Sequence, residues 1–217
     1  MPGETLSYFF FKQRLKKKLA SLYEIEDPWD TALLRDAFVP LIRKQMNSLP
    51  ETLRKAPVLD AGGGEAHYLE PLRDLIAEYH LVDINPTAVE RARKRAGNMP
   101  GRFLAQSLDA FRPRANFYGM IWLFNILTYL GHSRHPNIYR AILLRLWNGL
   151  KPGGKVLMIH PYYSEQERQE LMQAGRSFQN AGGTLNLSEE MRLGKQQHLI
   201  QACFKPQPPG KISPVRL

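Results

Sequence analysis

Residues 58-VLDAGGGEAHYLEPL-72 decide the fold class of this chain. An apolar run, typical of a buried strand, leads directly into three consecutive glycines, and the acidic residues Asp60 and Glu65 flank the glycines. Glycine adopts backbone conformations and permits close approaches that other residues do not. A turn of this composition after a strand indicates a place where backbone approaches a small ligand, although glycines also simply form turns.

The pattern around the glycines predicts a parallel sheet. From Pro57 onward, short apolar runs alternate with amphipathic stretches, which is typical of strands joined by crossover helices. The predicted strands are 56–61, 79–83, 102–106, 117–124, 154–160, 183–188 and 196–204. The predicted helices between them are 66–78, 86–96, 137–150 and 164–179. Because few residues join the last two strands, we expect them to form an antiparallel hairpin at the sheet edge.

The two ends of the chain differ from this alternating region. The first fifty residues have helical patterns and no strand pattern, with a turn at 27-DPWD-30 and a helix predicted from 31 to 46. The tail 205-KPQPPGKISPVRL-217 is predicted to be extended. These differences predict an N-terminal helical cap (1–50), a ligand-binding domain (51–204) and an extended tail (205–217).

Composition limits the class of protein. A hydrophobic content of 43% over 217 residues is ordinary for a globular chain. The longest apolar run, 120-MIWLFNILTYL-130, is too short to span a bilayer, and the N-terminus lacks the order of elements of a secretory signal. The single cysteine, Cys203, allows neither an internal disulfide nor a cysteine-based metal site, which favours a cytoplasmic location and no bound metal.

The net charge of +10 leaves the class of partner open. Basic residues cluster at 12-KQRLKKK-18, at 91-RARKR-95 and around Arg112 and Arg114. Such clusters suit RNA, an anionic surface or an acidic substrate. They are equally typical of solvated helix faces, because the first cluster flanks an apolar stripe. That stripe consists of Phe11, Leu15, Leu19 and Leu22.

A second acidic residue supports a nucleoside site. Asp83 ends the second predicted strand, 23 residues after Asp60, close to the spacing of about 20 residues at which an acid binds ribose hydroxyls. Carboxylates near the turn, including Glu65, would repel a pyrophosphate and attract a ligand with ammonium and sulfonium groups, as in S-adenosylmethionine (SAM). No Gly-Lys-Ser/Thr follows the glycines, which excludes a phosphate-binding P-loop.

Four ordered segments together resemble the class I SAM-dependent methyltransferases. They are 58-VLDAGGGEA-66, 81-LVDINPTAVERAR-93, 117-FYGMIWLFNILTYL-130 and 149-GLKPGGKVLMI-159. The resemblance covers roughly residues 56 to 204. It implies an α/β, Rossmann-like, doubly wound sheet of seven strands, mostly parallel with an antiparallel last strand, and it implies SAM as the cofactor.

The resemblance also implies cofactor-binding residues. Asp60 and the glycine turn would hold the methionine end of SAM, Asp83 would bind the ribose, and Ile84 would lie against the adenine. Where the family usually has an aspartate at the end of the third strand, this chain has Ser107-Leu108-Asp109, so the resemblance leaves the adenine contact to Ser107, to Asp109 or to a backbone group. The complete set is Asp60, Ala61, Gly62, Gly63, Gly64, Asp83, Ile84, Ser107, Leu108, Phe124 and Asn125, the last two lining the methyl-transfer face.

Methyl transfer from SAM depends mainly on positioning and desolvation, so it requires no fixed catalytic residue. A base or an acceptor contact could come from polar residues after the fourth and fifth strands, or from aromatic residues of the cap. The catalytic candidates are Tyr129, His132 and His160. The substrate-binding candidates are Tyr23, Trp29, Tyr129, His160 and Tyr163. Structural roles for the histidines and packing roles for the aromatic residues are the alternatives.

The sequence leaves three functions open. Residues 23-YEIEDPWDTALLRDAF-38 resemble the start of nodulation-type small-molecule N-methyltransferases, which favours transfer to a nitrogen or oxygen of a small molecule. The basic clusters suit an RNA methyltransferase instead. A non-catalytic protein of the same fold is the third alternative, and the retained Asp60, glycine turn and Asp83 argue against it. The sequence does not indicate an oligomeric state.

Overall fold

The computed structural model describes residues 31–130, 135–193 and 196–207, except for the side chains of Thr31, Thr128 and Tyr129. Its helices are α1 (Thr31–Asn47), α2 (Glu51–Arg54), α3 (Pro86–Ala96), α4 (Pro136–Gly149) and α5 (Glu165–Asn180), with 3-10 helices at Glu70–Leu75 and Leu127–Leu130. Its strands are β1 (Val58–Ala61), β2 (Tyr79–Asp83), β3 (Gly101–Ala105), β4 (Tyr118–Phe124), β5 (Leu150–Tyr162), β6 (Thr184–Leu193) and β7 (Gln196–Phe204).

The strands form one seven-stranded sheet in the order β3-β2-β1-β4-β5-β7-β6. The neighbours from β3 to β5 are parallel, whereas β7 is antiparallel to both β5 and β6. The predicted doubly wound sheet with an antiparallel last strand is therefore confirmed. Strand order reverses between β1 and β4, and ligands of such sheets bind at the carboxyl ends of the strands at this reversal.

Each face of the sheet has its own apolar core, because alternate residues of a strand point to opposite faces. The face that carries Asp60, called the Asp60 face below, packs against α1, the first 3-10 helix and α3, with buried residues such as Leu72 and Val89. The opposite face packs against α4 and α5, which contribute residues such as Ile142 and Phe178. No helix within the described ranges is long and apolar enough to cross a bilayer.

The predicted helix at 31–46 is present as α1, which lies along the Asp60 face. Its apolar residues recur at the four-residue spacing of an amphipathic helix and are buried in the core. They are Leu34, Phe38, Ile42 and Met46. On the same helix, Arg43 forms an ion pair of 2.6 Å with Asp74 of the first 3-10 helix. Helix α1 is thus packed on the sheet along its length.

The direction of α1 follows from its contacts at the two ends. Phe38, in the first half of the helix, contacts His198, which pairs with Pro161 near the carboxyl end of β5. After the helix ends, the Ser48 Oγ accepts a hydrogen bond of 2.6 Å from the Nζ of Lys155, near the other end of β5. Helix α1 therefore begins at the carboxyl edge of the parallel strands.

The prediction of an α-helix at 66–78 is wrong. The structure has turns there, followed by the short 3-10 helix Glu70–Leu75. Ala66 has a φ of 58°, in the left-handed region, which interrupts an α-helix at its start. Pro71 lacks an N–H and disfavours helical backbone at the residue before it. The apolar pattern of this segment therefore serves core packing without an α-helix.

Candidate active site

The glycine turn lies at the carboxyl end of β1 and is held by β2. The Gly62 N–H donates to the carbonyl of Val82 over 2.7 Å, and the Gly64 N–H donates to Oδ2 of Asp83 over 3.0 Å. Gly62 and Gly64 have φ values of 84° and 53°, which glycine adopts without strain. The turn is thus a preformed part of the fold.

The structure gives a reason for two of the glycines that differs from ligand approach. A Cβ on Gly62 would lie 2.4 Å from Cγ1 of Ile126, which follows β4. A Cβ on Gly63 would lie 2.4 Å from Oδ2 of Asp60. Side chains of the protein therefore fill the space that a larger residue would need at both positions.

Asp60 lies below the turn and is almost completely buried, with 2% of its surface exposed. Its Oδ2 accepts a hydrogen bond of 2.5 Å from the hydroxyl of Tyr79, and its Oδ1 has no partner among the described residues. Burial raises the pKa of Asp60 to about 7; the Tyr79 hydrogen bond opposes this shift, and the nearby charge of Asp83 adds to it. A cationic group beside Oδ1 would favour the ionised carboxylate.

Asp83 ends β2 and is also buried. Its Oδ2 accepts from the Gly64 N–H, and its Oδ1 accepts from the Asn85 N–H over 2.8 Å. Burial raises the pKa of Asp83, and these backbone hydrogen bonds oppose the shift. Each carboxylate oxygen keeps a lone pair, so the group can accept further hydrogen bonds from two hydroxyls.

Aromatic side chains surround Asp60 on its face of the sheet. Trp122 stacks on Phe124 with ring centroids 5.4 Å apart, and Tyr68 meets Phe124 edge-on at 5.2 Å. Tyr79 lies 6.1 Å from Trp122. The sequence interpretation did not include Tyr68 or Tyr79. Strand alternation could have indicated Tyr79, because it shares a strand face with Asp83.

The predicted residues after β3 and β4 lie at the same edge of the sheet. The Ser107 hydroxyl donates to Oδ1 of Asp109, and Leu108 is buried in the core of the opposite face. Asn125 follows buried Phe124 with a φ of 53°, and its N–H donates to the carbonyl of Ile159 over 2.9 Å. The chain therefore turns sharply where β4 ends.

The predicted acceptor residues are in different environments. His160 of β5 is buried on the face opposite Asp60, and burial lowers its pKa to about 3, so the ring is neutral at pH 7. Tyr163 is 70% exposed, and its hydroxyl accepts from Nε2 of Gln196 over 2.8 Å. Tyr129 belongs to the 3-10 helix Leu127–Leu130, of which only the backbone is described at this position. Tyr23, Trp29 and His132 lie outside the described residues.

His198 was missed by the sequence interpretation. It lies on β7 near the carboxyl edge and is completely buried against Phe38. Neither of its ring nitrogens has a hydrogen-bond partner within the described ranges. Burial lowers the pKa of His198, so its ring is neutral at pH 7 and one ring nitrogen can accept a hydrogen bond. The sequence alone offered only a lone histidine in an apolar strand.

An ion pair near the turn corrects the prediction that Glu65 attracts a cationic ligand. Glu65 forms an ion pair of 2.6 Å with Arg91, so its charge is balanced. Arg93 pairs with Glu90 at 2.6 Å and also donates to the carbonyl of Phe103. Glu65 therefore does not supply the attraction for a cationic ligand that the sequence suggested, which leaves the buried carboxylates Asp60 and Asp83 as the candidates.

A family model described as a methyltransferase domain matches residues 58–154, from the start of β1 into β5. The matched region contains the glycine turn, both buried acids and the end of β4. The chain therefore contains a methyltransferase domain, and it has the fold of the class I SAM-dependent methyltransferases. Oδ1 of Asp60, which is buried and has no partner among the described residues, fits the ammonium group of SAM, and the remaining lone pairs of Asp83 fit its ribose hydroxyls.

Solved structures share the fold of this methyltransferase. The N-methyltransferase NodS from Bradyrhizobium japonicum, in complex with S-adenosylhomocysteine (SAH), is 17% identical with a TM-score of 0.72, over 88% of this chain and 98% of that chain. Magnesium protoporphyrin IX methyltransferase from Synechocystis, with bound SAM, is 16% identical with a TM-score of 0.58, over 79% and 78%. A Haloferax volcanii methyltransferase in complex with the Trm112 activator is 17% identical with a TM-score of 0.60, over 85% and 98%. A search of curated protein sequences gave no match.

Proposed function

We propose that this methyltransferase transfers the methyl group of SAM to a nitrogen or oxygen of a small molecule. The observation that carries this proposal is the placement of α1. Its apolar stripe is buried on the Asp60 face, and it begins at the carboxyl edge of the sheet. Residues 1–50 then serve as a cap that encloses the acceptor, which suits a small molecule. The likeness to NodS, which covers 88% of this chain, supports the same reading.

The roles of the cofactor residues are part of the proposal. Asp60 holds the ammonium group of SAM through Oδ1, and Asp83 accepts hydrogen bonds from the two ribose hydroxyls. Ile84 lies against the adenine, and Ser107 and Leu108 border it. The backbone of Ala61, Gly62, Gly63 and Gly64 lies along the methionine part. Supporting this assignment, both acids are buried beside the turn and the turn is hydrogen-bonded to Asp83.

When bound, SAM supplies an electrophilic methyl group that a lone pair of the acceptor attacks in line. The chain contributes orientation and exclusion of water, which together account for about 7 to 11 kcal/mol of a barrier in well-oriented reactions. Phe124 and Asn125, at the end of β4, border the methyl group. A proton lost from the acceptor passes to Tyr129, to His132 or to water. His160, the third candidate, would hold such a proton poorly, because burial lowers its pKa to about 3. Tyr23, Trp29 and Tyr163 are the remaining candidates for acceptor contact.

RNA is the second candidate substrate, because the chain carries a net charge of +10. The structure weakens one basis for it, since Arg91 and Arg93 of the cluster at 91–95 are paired with carboxylates. The cluster at 12–18 lies outside the described residues. Independently of the substrate, we propose a cytoplasmic location, because the chain has a single cysteine and so allows no internal disulfide.

To test the proposal, a cell extract is separated into small-molecule and RNA fractions. Each fraction is then incubated with the protein and with SAM that carries a radiolabelled methyl group. We expect label in the small-molecule fraction, and much less label there with the Asp83→Ala variant at a SAM concentration below the wild-type Kd. Label that appears in RNA instead would establish the second candidate. The labelled product then identifies the acceptor and the atom that is methylated.

A further inference from the structure

Tyr79 lies at the start of β2, completely buried, and its hydroxyl reaches Asp60 across the sheet. The donor and acceptor atoms are 2.5 Å apart, which is short for a hydrogen bond of this kind. The ring is held between Trp122 and Phe103, with centroid distances of 6.1 and 6.0 Å. Tyr79 therefore has little freedom to turn away from the carboxylate.

Because of this hydrogen bond, the two carboxylate oxygens of Asp60 have different surroundings. Oδ2 is held by Tyr79, and Gly63 closes over the carboxylate so tightly that an added Cβ would lie within 2.4 Å of it. Oδ1 is buried and lacks a partner among the residues described. Because one oxygen is anchored, the carboxylate cannot rotate freely, and Oδ1 keeps one direction.

We propose that Tyr79 is a positioning residue for SAM binding, which fixes the Asp60 carboxylate and keeps it ionised so that Oδ1 receives the ammonium group of the cofactor. This inference rests on the proposed role of Asp60. The hydroxyl of Tyr79 touches neither the cofactor nor the acceptor in this arrangement; it acts only through Asp60.

The charged and titratable groups around Asp60 determine the expected pH dependence. Burial and the charge of Asp83 raise the pKa of Asp60, whereas the Tyr79 hydroxyl lowers it, leaving it at about 7. Burial raises the pKa of Tyr68, after the glycine turn, and of Tyr79; the charge of Asp60 adds to both shifts, and Arg95 of α3 opposes the shift at Tyr79. Binding of a cationic ligand should therefore strengthen as pH rises through about 7.

The test measures SAH affinity by calorimetry between about pH 5 and pH 9, since SAH carries the same ammonium group. In Tyr79→Phe the midpoint of the pH profile should move up by about one unit, with an affinity near pH 7 lower by about fivefold. At the alkaline end the variant should approach wild type. Tyr118→Phe is the matched control, because Tyr118 is a buried tyrosine hydrogen-bonded to His80 at 3.1 Å, away from the turn. Its profile should match wild type.

A second variant guards against loss of folding in Tyr79→Phe. Replacing Tyr79 with 3-fluorotyrosine retains the shape and makes the hydroxyl a stronger donor, so the midpoint should move down. If the midpoint of the pH profile of SAH affinity is the same as in wild type in either folded variant, the proposal is overturned. Asp60→Asn distinguishes the proposed role of Asp60 from that of Tyr79. If it leaves the SAH affinity and its pH profile unchanged, the assigned role of Asp60 is wrong as well. If Asp60→Asn weakens binding while the Tyr79 variants do not shift the midpoint, only the inference about Tyr79 fails.

Discussion

Phe38 of α1 packs edge-on against His198 of β7, with ring centroids 5.2 Å apart and both side chains buried. The contact joins the helix that precedes the sheet to β7, the last strand in chain order. It lies at the carboxyl edge, where ligands of this sheet type bind. The stability of the domain therefore depends on a helix that begins beside this edge.

Phe38→Ala should lower the free energy of unfolding by about 3 to 5 kcal/mol, because it removes a buried aromatic ring from the core. Urea denaturation followed by circular dichroism measures this change. Leu33→Ala is the matched control, since Leu33 lies on the same helix and is 45% exposed. Equal, small effects of the two substitutions would show that α1 does not pack as described.

Asp83→Ala should weaken SAH binding by about 1.5 to 3 kcal/mol, through loss of a charged acceptor for the ribose hydroxyls. The variant also loses the anchor of the Gly64 N–H, which adds to the effect. Isothermal titration calorimetry gives the affinity. Asp74→Ala removes an aspartate that pairs with Arg43 at the surface and should leave the affinity unchanged. Unaltered affinity in Asp83→Ala would remove the ribose assignment.

Gly62→Ala should reduce both stability and SAH affinity, because its Cβ would lie 2.4 Å from Ile126 Cγ1 and because the φ of 84° disfavours alanine. Combining it with Ile126→Ala relieves the steric clash but leaves the backbone strain, so we expect partial recovery. A double-mutant cycle of thermal unfolding and SAH titration measures the coupling. Additive effects would mean that Ile126 is not the obstacle.

His160 should make the protein less stable in acid. Its pKa is lowered to about 3 in the folded protein, below the usual value near 6.5, so the unfolded chain binds a proton that the native state does not. The stabilising contribution of the neutral ring is complete above the unfolded value and is lost as pH falls from there toward about 3. The slope is about 1.4 kcal/mol per pH unit in this window.

His160→Gln removes this titration, so the stability of wild type relative to the variant should fall with decreasing pH. Denaturant unfolding at several pH values measures the difference. Asp60, whose raised pKa of about 7 makes the folded state less stable as pH rises, acts in the opposite direction but equally in both proteins. A pH-independent difference between wild type and His160→Gln would show that the histidine is not buried as a neutral ring.

Binding to bulk tRNA should be weak at physiological salt, because the proposed acceptor is a small molecule. If lysines contacted phosphates, each would add about 0.9 to the slope of log affinity against log salt on a duplex. Filter binding at low and physiological salt compares wild type with a variant in which Lys16, Lys17 and Lys18 are changed to Gln. Tight, salt-dependent binding that this change abolishes, with methyl incorporation into the tRNA, would favour the RNA alternative.

Local patterns determined much of the fold. Residues 79–83 and 196–204 form strands with the predicted bounds, because apolar runs and their flanking residues report burial directly. The glycines, Asp60 and Asp83 were predicted as a SAM site on similar local grounds, namely their chemistry and their spacing, and the structure places them side by side at the ends of β1 and β2. The segment at 66–78 failed because its apolar spacing is helical while Ala66 and Pro71 prevent an α-helix.

Contacts between distant segments were decided only by the tertiary structure. Nothing near Tyr79 in the sequence shows that its hydroxyl binds Asp60, and nothing near Gly62 points to Ile126. The same holds for Glu65, whose charge is balanced by Arg91 of the following helix. Sequence periodicity determines which face of a strand or helix is buried, whereas the pairing of buried polar groups depends on strand register and on the packing of helices across the sheet.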